Sequence, residues 1–423
     1  MWAPPGYDGI VSSAVPRFDF RVDFATASDV GKVRKNNEDA LAVVPEIAAF
    51  AVADGMGGHA GGEIASRLAI DTVVAALREK ESKRILDRFH KEPTLQARHA
   101  MFHLLRSAFQ KANDAVRAEA DARQESTGMG TTLDVGLLVR DRAFVAHSGD
   151  GRVYLARPSA VIQLTHDHAL FESLLAAGTV RRPTPRSTGE SRKRRNPLVN
   201  AIGMAPTVSV DTFFVELTRG DRLLLCSDGV HGAIESESLL GQLLRTGSAE
   251  DASNALIAYV LRRGGHDNAT ALVVDVCERF VARAAPEGEP SSGPVSSDIV
   301  VARHSALLDD LPVSSVLAAL AAAVEVEIPK DERVPRLVAS DWVCYIVVSG
   351  QVMMPDGKVL GPSGLLFVES LMGVAREGDL PVVVENVRLM RLRADDFAEV
   401  CALDVELSNA LHVRIARYLA RTH

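Results

Sequence analysis

The chain has 423 residues, a length that favours two domains over a single hydrophobic core. Hydrophobic residues make up 47% and charged residues 24%, close to the average for globular proteins, which excludes a fibrous or wholly disordered chain. The formal net charge of -8 argues against nucleic acid as a partner, because that binding depends on Lys and Arg neutralising phosphates. Composition therefore predicts a globular protein that does not bind nucleic acid.

The expected compartment follows from the cysteines and the N-terminus. The four cysteines are too widely spaced for a zinc site or a short disulfide framework, and we expect them to be buried and reduced. The first 18 residues lack the charged start and apolar block of a secretory signal, and no apolar run is long enough to cross a membrane. These features predict a cytoplasmic protein without a membrane span.

The first two thirds of the chain alternate strand and helix patterns. Residues 1–17, rich in Pro, Gly and Ser, predict a loose arm before a first strand that begins near Phe18. The runs on either side of Arg140-Asp141-Arg142 predict an antiparallel hairpin. Helical patterns are found near residues 62–79, 95–123, 166–177, 233–245 and 249–263. Residues 18–282 are therefore predicted to form a layered α+β sandwich domain.

The last third has the pattern of a second domain. Residues 283–298, with repeated Pro, Gly and Ser, predict a flexible linker. In residues 299–423 a helical stretch is followed by short apolar runs and by a final helix from about Asp396 to Arg421. Strands framed by helices predict a β-roll domain flanked by helices.

Acidic residues follow the ends of several predicted strands, in short turns that are mostly rich in glycine. One such Asp-Gly pair is most simply an ordinary turn. Five together favour a site for Mg²⁺ or Mn²⁺, because hard cations prefer oxygen ligands and a neighbouring glycine brings a backbone carbonyl close. The five segments are Asn37-Glu38-Asp39, Asp54-Gly55, Gly149-Asp150, Asp228-Gly229 and His266-Asp267-Asn268.

The segments around these carboxylates resemble, in order, the motifs of metal-dependent protein serine/threonine phosphatases of type 2C. The similarity spans about residues 22–277 and rests on GKVRKNNEDA, FAVADGMGGHAGGEIAS, GMGTTL, HSGDGRVYL, LTHDHAL, LLLCSDGV and GGHDNATALVV. The resemblance implies a four-layer α-β-β-α sandwich with the metals in a cleft at the edges of the two sheets. It also implies phosphorylated Ser/Thr proteins as substrates.

The resemblance assigns roles to individual residues. A centre of two Mn²⁺ or Mg²⁺ ions would use Asp39, Asp54, the carbonyl of Gly55, Asp228 and Asp267, with Glu38 in support. Arg34 would hold the substrate phosphate. His59 would protonate the leaving oxygen, a role that suits histidine because the ordinary pKa of this residue type lies near working pH, or would only stabilise its loop. A hydroxide bridging the two metals would attack phosphorus in line, and no protein nucleophile is needed.

The chain departs from the family pattern at two glycines. Gly151 stands where the family usually has serine, and Gly232 stands where it usually has an aspartate that helps to hold a third metal. A third site, which would also use Asp150, is therefore doubtful. The matching residues Thr131, Thr132, His168 and Asn268 are interpreted as structural, through hydrogen bonds and turn closure.

The basic segment at residues 178–195 lies where the family has a flap beside the active site. It is interpreted either as a solvated loop or as a flap that steers acidic targets toward the cleft.

The last third resembles the cyclic nucleotide-binding domain family in DWVCYIVVSGQV, GPSGLLFVESLM and RLMRLRADDF. In that family a glutamate at the position of Glu369 holds the ribose, and an arginine pairs with the phosphate. Here Arg376 is out of register, and the expected position falls near Leu380 and Pro381. Cyclic nucleotide binding is therefore doubtful, and a degenerate domain that regulates or tethers the phosphatase is predicted. The alternatives are a weakly active phosphatase-like scaffold that binds phosphoproteins and a phosphatase gated by cyclic nucleotide.

Overall fold

A computed structural model describes most of the chain, with gaps. The described residues are 13–14, 17–57, 61–123, 128–157, 160–169, 198–279, 301–311, 313–320, 323–338, 341–372, 374, 378–403 and 405–422. The chain divides into two compact units, the first comprising Met1–Phe213 and Leu217–Ala282 and the second Phe214–Glu216 and Arg283–His423. The predicted linker at 283–298 lies outside the described residues.

The described strands of the first unit form two sheets of mainly antiparallel strands. In chain order the strands are β1 (Ser13–Ala14), β2 (Phe20–Asp29), β3 (Asp39–Val44), β4 (Ala49–Met56), β5 (Gly130–Thr131), β6 (Leu133–Val139), β7 (Arg142–Ser148), β8 (Arg152–Ala156), β9 (Val161–Gln163), β10 (Asp211–Glu216), β11 (Arg222–Cys226) and β12 (Ala269–Arg279). The first sheet has the order β1-β2-β12-β11-β8-β9. The second has the order β10-β7-β6-β4-β3, with β5 paired to β4.

Helices cover the outer face of each sheet. They are α1 (Gly61–Arg78), α2 (Lys80–Lys91), α3 (Leu95–Ala122), α4 (Asp228–His231), α5 (Glu237–Leu244) and α6 (Ala249–Arg262). Helix α1 packs on β3 and β4, and α6 packs on β2 and β12. The rings of Phe24 and Phe50, 5.7 Å apart, join the two sheets between these helices. The layer order is therefore helix, sheet, sheet, helix, and the predicted α+β fold is confirmed.

Local sequence explains where several of these elements begin. Helix α3 begins after Thr94, whose hydroxyl accepts a hydrogen bond from the Ala97 amide. Helix α6 begins with a capping box, in which Ser248 and Asp251 satisfy each other's backbone amides. The buried residues of α6 recur every three or four positions, which gives the helix one apolar face toward its sheet.

Three sequence predictions and one missed helix compare with the described elements as follows. The hairpin is present, since β6 and β7 pair antiparallel from Leu133–Ser148 to Val139–Arg142. Residues 166–169 are not helical, so that part of the predicted helix at 166–177 is wrong, and its remainder lies outside the described residues. Helix α2 was not predicted. Two residues of the predicted loose arm form β1, which pairs with β2.

The second unit contains a further antiparallel sheet and helices. Its elements are α7 (Val313–Leu320), β13 (Val324–Ile328), β14 (Leu337–Val338), β15 (Asp341–Met353), β16 (Val359–Leu360), β17 (Leu365–Leu366), β18 (Val382–Arg393), α8 (Ala394–Leu403) and α9 (Val405–Thr422). The sheet order is β13-β18-β15-β14, with β16 and β17 also paired to β15. Tyr345, Leu366 and Leu389 belong to its apolar core. The predicted final helix is two helices, and the β-roll assignment stays a prediction.

Two expectations about the whole chain concern cysteines and membranes. All four cysteines lie among the described residues, and all are free. Cys226, Cys344 and Cys401 are buried, but Cys277 is only partly buried, so the expectation of four buried cysteines is wrong at that residue. Among the described residues no helix combines the length and the apolarity needed to cross a bilayer.

Candidate metal and phosphate site

Carboxylates from both sheets of the first unit meet at one edge. Asp39 begins β3 and lies directly opposite Asp54 of β4 in the second sheet. Asp228 begins α4 just after β11, and Asp267 lies just before β12, so both come from the first sheet. The structure thus brings together four aspartates that are up to 228 positions apart in the chain, 267 minus 39.

Burial and mutual repulsion disfavour negative charge on this cluster. Burial, together with the charges of Asp228 and Asp267, raises the pKa of Asp39 to about 6, although a hydrogen bond from Ser227 acts in the opposite direction. Burial also raises the pKa of Asp54 and of Asp228, two carboxyl groups that hydrogen-bond to each other. A bound cation would offset this repulsion.

Arg34 and Glu38 lie at the rim of the cluster. Arg34 donates a hydrogen bond of 2.8 Å to Asp267 Oδ2, and its other terminal nitrogen lies 3.5 Å from Glu38 Oε2. The Arg34 side chain is 47% exposed. Burial raises the pKa of Glu38, while the charge of Arg34 lowers it. The guanidinium is therefore held at the cluster yet open to solvent.

Close packing of backbone explains the glycine that follows Asp54. A Cβ atom at Gly55 would overlap the carbonyl of Gly62, at the start of helix α1. The Gly55 amide donates to the carbonyl of Glu38 at 3.1 Å. Only glycine lets strand β4, helix α1 and the Glu38 turn approach this closely.

The donor set fits a hard divalent cation. Asp39 Oδ1 is buried and accepts no hydrogen bond from any described residue. The neighbouring side chains supply oxygen atoms, the ligands that Mg²⁺ and Mn²⁺ prefer. Within the described residues no three His, Cys, Asp or Glu side chains converge tightly enough to form a ready coordination shell. The assignment therefore rests on donor chemistry, burial and the unpartnered oxygen.

Polar residues around the cluster close its turns. Thr132 Oγ1 accepts from the Asp54 amide at 2.9 Å, and Thr131 Oγ1 donates to the Asp54 carbonyl at 2.9 Å. Asn268 accepts from the Glu38 amide and donates to the carbonyls of Val30 and Asn36. These contacts agree with the structural roles expected for Thr131, Thr132 and Asn268. His168 likewise makes local contacts, accepting at Nδ1 from the Gly149 amide at 3.3 Å.

Sequence reasoning missed two buried residues that are linked to Asp39. Ser227 Oγ donates to Asp39 Oδ2 at 2.7 Å, and the Thr270 amide donates to Ser227 Oγ at 2.9 Å. Both residues are fully buried. Their positions within the SDG and DNAT motifs, as the serine and the threonine, were the only sequence signal that could have indicated them.

The two departures from the family pattern have different structural settings. A Cβ atom at Gly151 would overlap Asp134 Oδ2, so the Asp134 carboxylate fills the space of a serine side chain. Gly232 caps α4 through its amide, which donates to the Asp228 carbonyl at 2.7 Å, and it offers no carboxylate. Asp150 remains near the cluster: burial, together with the charge of Asp228, raises its pKa to about 7.

Two predicted features cannot be located. His59 lies outside the described residues, which resume at Gly61. The basic segment at 178–195 also lies outside them. Their roles stay predictions.

The fold and the site of the first unit together define a two-sheet α+β domain with an oxygen-rich acidic centre suited to divalent cations. The sequence model described as Protein phosphatase 2C matches residues 32–273. The chain belongs to this family. Members of the family use two Mn²⁺ or Mg²⁺ ions.

Individual relatives agree with this assignment. The serine/threonine protein phosphatase PstP of Mycobacterium tuberculosis is 32% identical over 349 residues, which is 80% of this chain but 60% of the relative's length. The serine/threonine phosphatase stp of Listeria welshimeri is 32% identical over 252 residues, 59% of this chain and 93% of the relative.

Solved structures of related proteins resemble the first unit. The crystal structure of the Mycobacterium tuberculosis serine/threonine phosphatase PstP/Ppp matches with a TM-score of 0.52 and 32% identity, over 61% of this chain and 99% of that one. A serine/threonine phosphatase from S. agalactiae matches with a TM-score of 0.52 and 26% identity, over 60% of this chain and 99% of that one. These matches confirm a phosphatase 2C fold.

Proposed function

We propose that the protein is a metal-dependent phosphatase that hydrolyses phosphoseryl and phosphothreonyl proteins. The observation that carries the proposal is the convergence of Asp39, Asp54, Asp228 and Asp267 from both sheets, with Arg34 at their rim. Relatives named serine/threonine phosphatases support the substrate class. The expected location is the cytoplasm.

In this proposal the four aspartates and the Gly55 carbonyl hold two Mn²⁺ or Mg²⁺ ions, and Glu38 supports them. Bound ions supply a nucleophile from water at neutral pH and neutralise charge on the phosphate oxygens. The carboxylates fix where the ions lie, because their strand ends are part of the two sheets. We assign no third ion, since Gly232 contributes no ligand and leaves Asp150 without that partner.

Arg34 is assigned to the substrate phosphate. Its contact with Asp267 and its proximity to Glu38 orient the guanidinium, while its exposure leaves it accessible to a ligand. A planar guanidinium can pair with two phosphate oxygens at once. His59 is assigned as the donor of the proton to the leaving oxygen, from its place in the GGHAGG motif.

The second unit is proposed to be a degenerate cyclic nucleotide-binding-like β-roll that regulates or tethers the catalytic unit. Glu369 lies in a short 3-10 helix, Val368–Met372, that follows β17. Leu380, near the position expected for the phosphate-binding arginine, packs against the apolar core of the unit. This packing supports a domain that makes contacts rather than one that binds a charged nucleotide.

The test of the catalytic proposal is hydrolysis of a phosphothreonine peptide by the purified full chain with and without Mn²⁺. Asp228→Asn should lower the rate by at least about 100-fold. Loss of a residue that only supports a metal ligand costs up to about 100-fold, and Asp228 is proposed to be a ligand itself. The matched control is Asp71→Asn, at an exposed position of helix α1. Full activity in excess chelator, or in Asp228→Asn, would refute the proposal.

A further inference from the structure

The segment between strands β2 and β3 is fastened to the turn that precedes β12. We call this segment, residues 30–38, the rim loop. Asn268 Oδ1 accepts a hydrogen bond from the Glu38 amide at 2.8 Å. Its Nδ2 group donates to the carbonyls of Val30 and Asn36, both at 2.9 Å. Because Asn268 is only 3% exposed, one buried side chain holds both ends of the rim loop.

Further contacts hold the middle of the rim loop against the same turn. The Lys32 amide donates to the Gly265 carbonyl at 2.7 Å. The backbone of Gly31 lies so close to the turn that a Cβ atom there would be 2.4 Å from the Asp267 carbonyl oxygen. The Arg34 side chain donates to Asp267 Oδ2 at 2.8 Å. The rim loop is therefore a fixed part of the acidic site.

The rim loop presents one apolar side chain among cations. Val33 is 62% exposed, more than any other large hydrophobic residue in the described part of the chain. Lys32 and Lys35 are exposed as well. Arg34 pairs with Asp267, whereas neither lysine forms an ion pair with a carboxylate of the described residues. The loop thus offers an apolar contact and two positive charges that such carboxylates do not neutralise.

These side chains lie within reach of the residues that flank a bound phosphorylated residue. Successive Cα atoms are about 3.8 Å apart, so Val33 and Lys35 adjoin Arg34, which is assigned to the substrate phosphate. The residues before and after a phosphothreonine have the same spacing from it. A peptide whose phosphate is held by Arg34 therefore passes within side-chain reach of the rim loop.

The charge and stiffness of the rim loop indicate which peptides it fits. Lys32 and Lys35 attract carboxylates, and no ion pair with a described residue has to be broken first. Val33 is β-branched, so its side chain loses little rotamer freedom when an apolar side chain packs on it. The net charge of the chain is -8, so these cations are a local feature rather than part of a generally basic surface.

We propose that the rim loop selects phosphorylated sites that have apolar residues next to the phosphorylated residue and acidic residues beyond them. The inference rests on the proposed function, in which Arg34 holds the substrate phosphate. Val33 packs on the adjacent apolar residue, and Lys32 and Lys35 pair with the acidic ones. The three residues determine specificity and take no part in the chemical step.

The test of the charges compares kcat/KM of the full chain, with Mn²⁺, on two phosphothreonine peptides. Both have leucine on each side of the phosphothreonine. The first has glutamate beyond each leucine and the second has glutamine there. The native chain should prefer the glutamate peptide. Lys35→Glu should lower kcat/KM on that peptide by about 5-fold, the scale of an exposed ion pair, and should affect the glutamine peptide less.

Salt and a matched variant control this measurement. The preference of the native chain for glutamate should shrink at high salt, because exposed charges are screened. Lys32→Glu should change the ratio of the two kcat/KM values in the same direction as Lys35→Glu. The control is Lys83→Glu, at an exposed position of helix α2, which should keep the native ratio.

A third peptide, with serine in place of both leucines, tests the apolar contact. Val33→Ala should lower kcat/KM on the leucine peptide by about 4-fold, the contribution of one buried CH₂ group, and should affect the serine peptide less. Val33→Ile should keep the preference for leucine. The control is Val413→Ala in helix α9, where the valine is 47% exposed, and it should also keep that preference.

The outcomes separate the inference from the proposed function. A native chain that hydrolyses all three peptides equally well would overturn the specificity role and leave the phosphatase assignment intact. The same holds if the rim-loop variants keep the native preferences, or if they lose activity equally on the peptides and on p-nitrophenyl phosphate. A native chain that hydrolyses none of the peptides would overturn both.

Discussion

At the scale of single residues, two positions of the site must be glycine because another residue occupies the space of their side chains. At Gly151, the Asp134 carboxylate lies where a Cβ atom of residue 151 would be. Gly55 is limited in the same way by the Gly62 carbonyl. A larger residue at either position would have to displace backbone or a buried carboxylate, so both turns next to the acidic cluster are intolerant of side chains.

His59 gives a prediction about the leaving group. His59→Gln should lower turnover on a phosphoserine peptide by about 100-fold, the low end for general acid catalysis, and should change turnover on p-nitrophenyl phosphate far less. A phenolate leaves without much protonation, whereas an alkoxide requires it. The comparison of kcat on the two substrates decides the matter, since equal losses would make His59 a structural residue.

At the scale of elements, a buried ion pair joins β6 to β7 behind the Asp150 turn. Asp134 and His147 face each other in the strand register, with Asp134 Oδ1 and His147 Nδ1 2.7 Å apart. His147 Nε2 lies 2.8 Å from the carbonyl of His166, which can only accept, so this nitrogen carries a proton. Both side chains are fully buried, and the pair fixes the turn that carries Gly149 and Asp150.

This ion pair predicts a pH dependence of stability. Burial lowers the pKa of His147, but the charge and hydrogen bond of Asp134 outweigh this and raise it to about 9. Because the pKa of His147 in the folded chain lies above its ordinary value of about 6.5, the protonated side chain stabilises the fold at pH below 6.5. This stabilisation is lost as pH rises through 9. The native chain should therefore lose stability between pH 6.5 and 9.5, by up to about 3 kcal/mol from this group.

Urea unfolding followed by circular dichroism at the two pH values tests the prediction. His147→Gln and Asp134→Asn should each show a smaller decline than the native chain, because the raised pKa is gone. His103→Gln, at an exposed position of helix α3, is the control and should decline as the native chain does. Parallel declines in all four proteins would exclude the ion pair as the cause.

At the scale of the whole molecule, the proposed catalytic residues are separate in the chain from the second unit, apart from its short piece Phe214–Glu216. All the proposed metal ligands precede residue 282, the last of the first unit. The sheet of the second unit pairs only its own strands in the described parts of the chain. We therefore expect that the first unit retains its metal-dependent hydrolysis when the second unit, with its proposed regulatory role, is removed.

Truncation tests this separation. A chain ending at Ala282 should keep Mn²⁺-dependent hydrolysis of p-nitrophenyl phosphate, while its protein partners or location in the cell should change. Loss of activity in a truncated chain that still folds by circular dichroism would show that the second unit is part of the catalytic machinery.

The proposal that the second unit is a degenerate domain predicts that the full chain binds cyclic AMP and cyclic GMP weakly or not at all. Glu369 is present, but Leu380 and Pro381 offer no cation for the phosphate, and burying an unpaired phosphate is costly. Titration calorimetry on the full chain is the measurement. Micromolar affinity for either nucleotide would instead make the protein a phosphatase gated by nucleotide.

The sequence by itself determined the α+β class, the β6–β7 hairpin and the set of candidate ligands. These are local properties: a carboxylate in a short turn next to an apolar run is visible within about ten residues. Helix α2 was missed because its few buried residues, Ser82, Leu86 and Phe89, are spread among charged ones. Only the tertiary structure decided that Ser227 reaches Asp39 across 188 positions and that Asp134 fills the space at Gly151. Such contacts depend on how strands from distant parts of the chain pair and pack, and no local pattern of residue types specifies that register.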